Sequence, residues 1–109
     1  MIYSLFIGRW QPFHAGHKAL IDTVLAEGKN VCIAIRDTQL SAHDPYTPWE
    51  RRGMIRRAYP NNRRVKIIVI PDIEAVCYGR DVGYDIREIR LGEDTERISG
   101  TRIREDQRG

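Results

Sequence analysis

Short apolar runs alternate with amphipathic stretches along this chain, the pattern of strands and helices taking turns. Residues 3–8, YSLFIG, read as a first strand. Residues 17–27 follow as a helix with Leu20, Ile21, Val24 and Leu25 on one face, and Gly28 stops it. Residues 31–36, VCIAIR, are almost unbroken apolar, as in a strand covered on both faces. A polar loop, DTQLSAHDPY, leads to Thr47-Pro48-Trp49-Glu50. There Thr47 can cap, Pro48 suits the first helical position, and Glu50 can reach back to complete a capping box. That helix runs to about Tyr59, and Pro60-Asn61-Asn62 ends it. VKIIVI (65–70) is a third strand, AVCY (75–78) a short fourth, and YDIREIRL (84–91) a fifth at the sheet edge, because its alternation is imperfect. A last short helix starts at Gly100, capped by Ser99, with Ile98 and Ile103 at the positions of a hydrophobic staple.

This order predicts an α/β fold: one Rossmann-like domain over residues 1–109, with a parallel sheet of about five strands, right-handed crossovers and helices on both faces. Such folds bind ligands beyond the carboxyl ends of their strands, where the strand order reverses. The length of 109 residues fits a single domain. Hydrophobic residues at 41% and charged residues at 30% suit a folded, soluble chain. No apolar run approaches the ~18 residues of a membrane helix. The opening MIYSLFIGRW lacks basic residues before its apolar part, so it reads as a strand and not a signal peptide. Cys32 and Cys77 each sit in an apolar run and are expected as buried thiols; with no CxxC or Cys/His cluster, they point to a reducing cytoplasm.

Charge sharpens the picture. The net charge is +3, and the 18 basic residues are nearly all Arg, whose planar fork pairs with phosphate at two points. Residues 51–64 hold six Arg and no acid, which suits an anionic partner. No aromatic interleaving or recognition motif supports nucleic acid there, so nucleic acid is not an expected partner.

The chemistry concentrates directly after the first strand, in Gly8-Arg9-Trp10-Gln11-Pro12-Phe13-His14-Ala15-Gly16-His17. Two histidines three apart stand at a loop-to-helix junction. No Ser, Thr, Asp or Asn at 15 or 16 caps the helix, so its first N–H groups are expected as free donors toward an anion. Gly16 lets backbone approach a ligand closely. Imidazoles here can donate to phosphate oxygens whose charge grows in a transition state. A metal site from the two histidines lacks a third ligand at suitable spacing.

These residues resemble the (H/T)xGH signature of the nucleotidylyltransferase superfamily. The extended form GRWQPFHAGH is similar to the GRFQPFHxGH of archaeal-type nicotinamide mononucleotide adenylyltransferases. A second family signature, ISxTxxR, is matched by Ile98-Ser99-Gly100-Thr101-Arg102-Ile103-Arg104. Thr47-Pro48-Trp49-Glu50-Arg51 resembles the family's helix start that carries an Arg toward the active site. The likeness spans nearly the whole chain and implies a cytidylyltransferase-like domain over residues 1–109. It implies that His14 and His17 contact the triphosphate, with Arg104 completing the catalytic set. Ser99 and Thr101 would hold the β- and γ-phosphates with Arg104. Arg9 and Arg51 would assist at the phosphates, Gly8 and Gly16 would let the nucleotide approach, and Gly79 would lie near the base.

The reaction so implied is nucleotidyl transfer, adenylyl from ATP rather than cytidylyl from CTP, to a small phosphorylated acceptor such as nicotinamide mononucleotide. Pyrophosphate is released, and Mg²⁺ is held mainly by substrate phosphates. Two alternatives stand beside it: cytidylyl transfer to a small alcohol phosphate such as glycerol-3-phosphate, and a non-catalytic nucleotide-binding module. The chain is shorter than the enzymes it resembles, with the deficit between Pro71-Asp72 and Ser99 and after Arg104. A sheet this small is expected to gain a second subunit as a homodimer.

Overall fold

Three strands and two helices follow one another: β1 (Tyr3–Gly8), α1 (Ala15–Leu25), β2 (Asn30–Asp37), α2 (Pro48–Ala58) and β3 (Val65–Pro71). The computed structural model describes residues 1–91. The strands are parallel in the order β1-β2-β3. Ser4 pairs with Val31 and Val31 with Val65; Phe6 pairs with Ile33 and Ile33 with Ile67. These rows form one face of the sheet, since strand side chains alternate. That face packs against Ile21 and Val24 of α1 and against Ile55 and Tyr59, at the inner side and end of α2. Ile21, Ile33, Ile35 and Ile55 are fully excluded from solvent. Truncating one of them to Ala would cost about 2–5 kcal/mol, the lost transfer energy plus a cavity.

The α/β class and the parallel sheet are as expected, and three features differ. The sheet has three strands among the described residues, not five. Residues 75–78 and 84–91 adopt irregular structure. Val76, Tyr78, Tyr84 and Ile86 are all more than half exposed, Ile89 alone of the second run packs against the core, and neither run finds a pairing edge. Both helices lie on one face, not two, among the described residues. Sequential order explains this, because two right-handed crossovers moving in one direction place both helices on the same side. No reversal of strand order occurs among these residues, so the switch point expected there is absent from the described sheet.

On the second face, Cys32 and Ala34 are buried small side chains of the central strand, while Leu5 on β1 is 57% exposed. The thiols are free; Cys32 is buried as expected, whereas Cys77 is exposed because the run that carries it is not a strand. No described helix is long and apolar enough to cross a membrane. The predicted helix at Gly100 and the staple of Ile98 and Ile103 lie outside the described residues.

Candidate active site

The loop from β1 to α1 turns sharply at the carboxyl end of the sheet. Trp10 takes a left-handed backbone conformation (φ 54°) that a bulky residue adopts only when held there. Two contacts hold it. Its indole Nε1–H donates to the Ala34 carbonyl on β2 at 3.0 Å, and the ring is 5% exposed. The ring also lies on Gly8, where a Cβ would stand 2.9 Å from its carbons, so any larger residue would displace it. Gly8 is thus needed for packing in its own right. The Gln11–Pro12 peptide bond is cis.

α1 begins earlier than its apolar periodicity predicts, and the reason is His14. Its Nδ1 accepts from the backbone N–H of Gly16 (3.0 Å) and of His17 (3.4 Å). The Nδ1 of His17 accepts in return from the His14 N–H at 3.2 Å. The pair forms a reciprocal capping box built from two imidazoles. The expectation of an uncapped helix start is therefore corrected: ring nitrogens take the place of the usual hydroxyl or carboxylate. A nitrogen that accepts from an N–H carries no proton itself, so the bond pattern assigns the proton of each neutral ring to Nε2. The rings stack at 3.5 Å between centroids, and the Trp10 indole meets His17 edge-on at 4.8 Å. His17 is buried, as is Gly16 beside it. The motif thus delivers two pre-oriented Nε2–H donors, which suits an anionic ligand whose charge grows during reaction.

A second layer fixes this loop from outside. Gln11 donates to the Thr38 hydroxyl (3.3 Å) and the Tyr46 carbonyl (2.9 Å), and accepts from the Tyr46 N–H (3.0 Å). Arg9 reaches Asp44 at 3.5 Å. The loop after β2 is thereby tied to the loop after β1. Thr47 and Glu50 form the capping box of α2 that the sequence predicts.

Arg51 is fully buried, and its Nη2 has no hydrogen-bond partner among the described residues. Its Nη1 donates to the carbonyls of Arg9 and Arg36, both at 2.7 Å, and its Nε to those of Tyr46 (3.1 Å) and Thr47 (3.3 Å). One guanidinium therefore joins the ends of β1 and β2 to the start of α2. Burial lowers its pKa, partly offset by Asp37, Asp44 and Asp72. The sequence holds a signal for this. Arg51 stands four residues before Ile55 and eight before Tyr59, on the buried side of α2. Gln11 and Trp10 carry no such signal beyond their place in the motif.

Of the other residues singled out, Gly8, Arg9, His14, Gly16 and His17 converge on this loop. Gly79 lies in the exposed segment after β3, with nothing within 4 Å of where its Cβ would sit. Ser99, Thr101 and Arg104 lie outside the described residues. Among the described residues, no three His, Cys, Asp or Glu side chains converge on a metal position. Tyr59 closes the base of the site, donating to Asp22 at 2.8 Å beneath Phe13.

A family model described as cytidylyltransferase-like matches residues 5–85. A nicotinamide-nucleotide adenylyltransferase of Methanocorpusculum labreanum is 44% identical over 71 residues, which cover 62% of this chain and 41% of that protein. One of Pyrococcus horikoshii is 37% identical over 78 residues, covering 67% of this chain and 42% of that protein. One of Pyrobaculum arsenaticum is 32% identical over 136 positions, covering 96% of this chain and 76% of that protein. Those positions outnumber the 109 residues here, so that relative carries residues this chain lacks. With Gly8, the paired imidazoles, both helices and the second and third strands all inside the matched span, the chain belongs to the cytidylyltransferase-like family.

Proposed function

We propose that the chain transfers the adenylyl group of ATP to a small phosphorylated acceptor, with nicotinamide mononucleotide first among them. The observation that carries this reading is the reciprocal imidazole cap, which spends both Nδ1 atoms on backbone and leaves Nε2–H as each ring's donor. The names of the relatives support the choice of adenylyl donor and acceptor.

An acceptor phosphate is ionised near neutral pH and needs no strong base to attack. A new bond forms between its oxygen and the α-phosphorus of ATP. The bond from that phosphorus to the β-phosphate bridging oxygen breaks, and pyrophosphate leaves in line. Catalysis reduces to alignment and charge stabilisation, with no covalent enzyme intermediate. His14 and His17 donate to α-phosphate oxygens, and Arg9 assists at the phosphates. Ser99, Thr101 and Arg104 would hold the β- and γ-phosphates, and Gly79 would border the base. Arg51 holds four backbone carbonyls around the loop, and its remaining Nη2 would assist at the phosphates. Mg²⁺ would ride on the substrate phosphates, where it neutralises charge.

The test is a matrix of the four nucleoside triphosphates with Mg²⁺ against nicotinamide mononucleotide, glycerol-3-phosphate, phosphopantetheine and sugar phosphates, read as pyrophosphate release. Turnover with ATP and nicotinamide mononucleotide is expected. Turnover with CTP and glycerol-3-phosphate instead would replace this reading by cytidylyl transfer, which the family description also accommodates. Triphosphate binding without any turnover would make the chain a nucleotide-binding module. A homodimer belongs to the same proposal, supported by Leu5 exposed on the sheet face away from both helices, and sedimentation tests it. A cytoplasmic setting is proposed on the two free thiols.

A further inference from the structure

The adenylyl-transfer reading leaves one conspicuous surface unused, the outer side of α2. Trp49, Arg52, Gly53 and Arg56 are spaced i, i+3, i+4 and i+7, which places them on one helical face. That face lies opposite buried Arg51 and Ile55. Trp49 is 69% exposed, so most of its surface stands in solvent. Arg52 and Arg56 are exposed, as is Arg63 beyond the helix end. None of the three pairs with a carboxylate among the described residues. The acid nearest to Trp49 in sequence, Glu50, is already engaged by the Thr47 N–H at 3.0 Å. At the far end of the helix, Arg56, Asn61, Asn62 and Arg63 line a cleft of about 550 Å³.

We propose that this face binds single-stranded nucleic acid. Charge complementarity alone would accept any polyanion; the indole narrows the choice. A π-face set among arginines offers a stacking platform for an unstacked base while the guanidiniums take the flanking phosphates. Trp49 and Arg56 are seven residues apart, about 10 Å along the helix, so a strand laid on Trp49 would reach the cleft within a few nucleotides. The side-chain amides of Asn61 and Asn62 there can donate to and accept from base edges or sugar hydroxyls. A duplex keeps its bases stacked and could use the charge but not the indole. The aromatic residue inside the arginine run itself, Tyr59, is buried, so the exposed ring comes from Trp49, which joins the run through the helix period.

The experiment titrates full-length protein into labelled single strands of about twelve nucleotides, read by fluorescence anisotropy, a length within the usual range of such sites. The same duplex, polyglutamate and phosphatidylserine vesicles serve as competitors. Three arginine contacts predict that log K falls with log salt at a slope of about −2. Arg56→Gln should make that slope shallower by about 0.7. Trp49→Ala should weaken binding about 10-fold or more and leave the slope unchanged. Both variants should release pyrophosphate at the wild-type rate, so this proposal and the adenylyl-transfer reading fail separately. The proposal is overturned by no single-strand binding at low salt, by wild-type affinity in Trp49→Ala, or by duplex, polyglutamate or vesicles competing equally well.

Discussion

Substituting His14 separates two jobs that one ring performs. Its Nδ1 caps α1 through Gly16 and His17, and its Nε2–H is the proposed donor to the α-phosphate. Three replacements divide these atoms. Asn at an N-cap retains an acceptor for the helix N–H groups but has nothing at the Nε2 position. Gln reaches one methylene further and can present an N–H near that position, while giving up the cap. Ala removes both. All three lose the 3.5 Å ring stack on His17, worth about 0.5–1.5 kcal/mol, so that loss cancels in comparisons among them. The cap itself is worth about 1 kcal/mol. For a chain of 109 residues that corresponds to roughly 4 °C in Tm.

His14→Asn should therefore melt about 4 °C above His14→Ala and His14→Gln. Turnover should rank differently. Asn and Ala should both lose about 10²–10³ in kcat, the usual cost of one such donor, while Gln keeps part of the rate. Thermal melts and pyrophosphate release on the same preparations check both rankings. If Asn melts with Ala, the cap is not the structural role of the ring. If Asn turns over like wild type, Nε2 is not the catalytic atom, and the proposed use of the motif falls.

Other expectations follow from the same contacts. Arg51→Lys keeps a charge but cannot span carbonyls on both strand ends and the α2 start; with each unpaired buried carbonyl costing about 1–3 kcal/mol, urea denaturation should show more than about 2 kcal/mol lost. Trp10→Phe loses the bond to Ala34 and should cost about 1 kcal/mol by the same measurement, with a fall in turnover because His17 loses its edge contact. Tyr59 is an acid whose pKa is raised, first by burial and then by its bond to Asp22. Its unfolded form ionises near pH 10 while the folded form stays neutral, so stability should fall as pH rises above about 10, and Tyr59→Phe should flatten that limb. Burial also raises the Cys32 thiol, so in native protein near neutral pH a maleimide should label Cys77 and spare Cys32 until denaturant is added.

What the sequence disclosed depends on how far apart the interacting parts are. β1 could be bounded at Tyr3 and Gly8 because apolar run and glycine are adjacent. The α2 cap was legible because Thr47, Pro48 and Glu50 lie within one turn. The cap of α1 was equally local yet missed, because its acceptors are ring nitrogens and not the hydroxyls or carboxylates that propensity favours. Residues 75–78 and 84–91 have strand-like composition, but a strand also needs a partner edge, and composition does not supply one. Arg51 shows the other limit. Its helical period marks it as inward-facing, but the reason to bury a charge there lies 42 residues upstream at the Arg9 carbonyl and 15 upstream at Arg36.

That distance bears on how the site works. The His pair is held by short-range bonds within residues 14–17, whereas its placement over the sheet relies on Trp10, Gln11 and Arg51 reaching across to the ends of β2 and the start of α2. A defect in the first set should abolish donors and leave the fold; a defect in the second should leave the donors intact but move them. An alignment-dependent reaction is sensitive to both, since a displacement of about 1 Å can cost on the order of 10²-fold in rate. The matched signature is therefore a sufficient marker of the local cap, and the buried guanidinium that holds it in position is part of the same device.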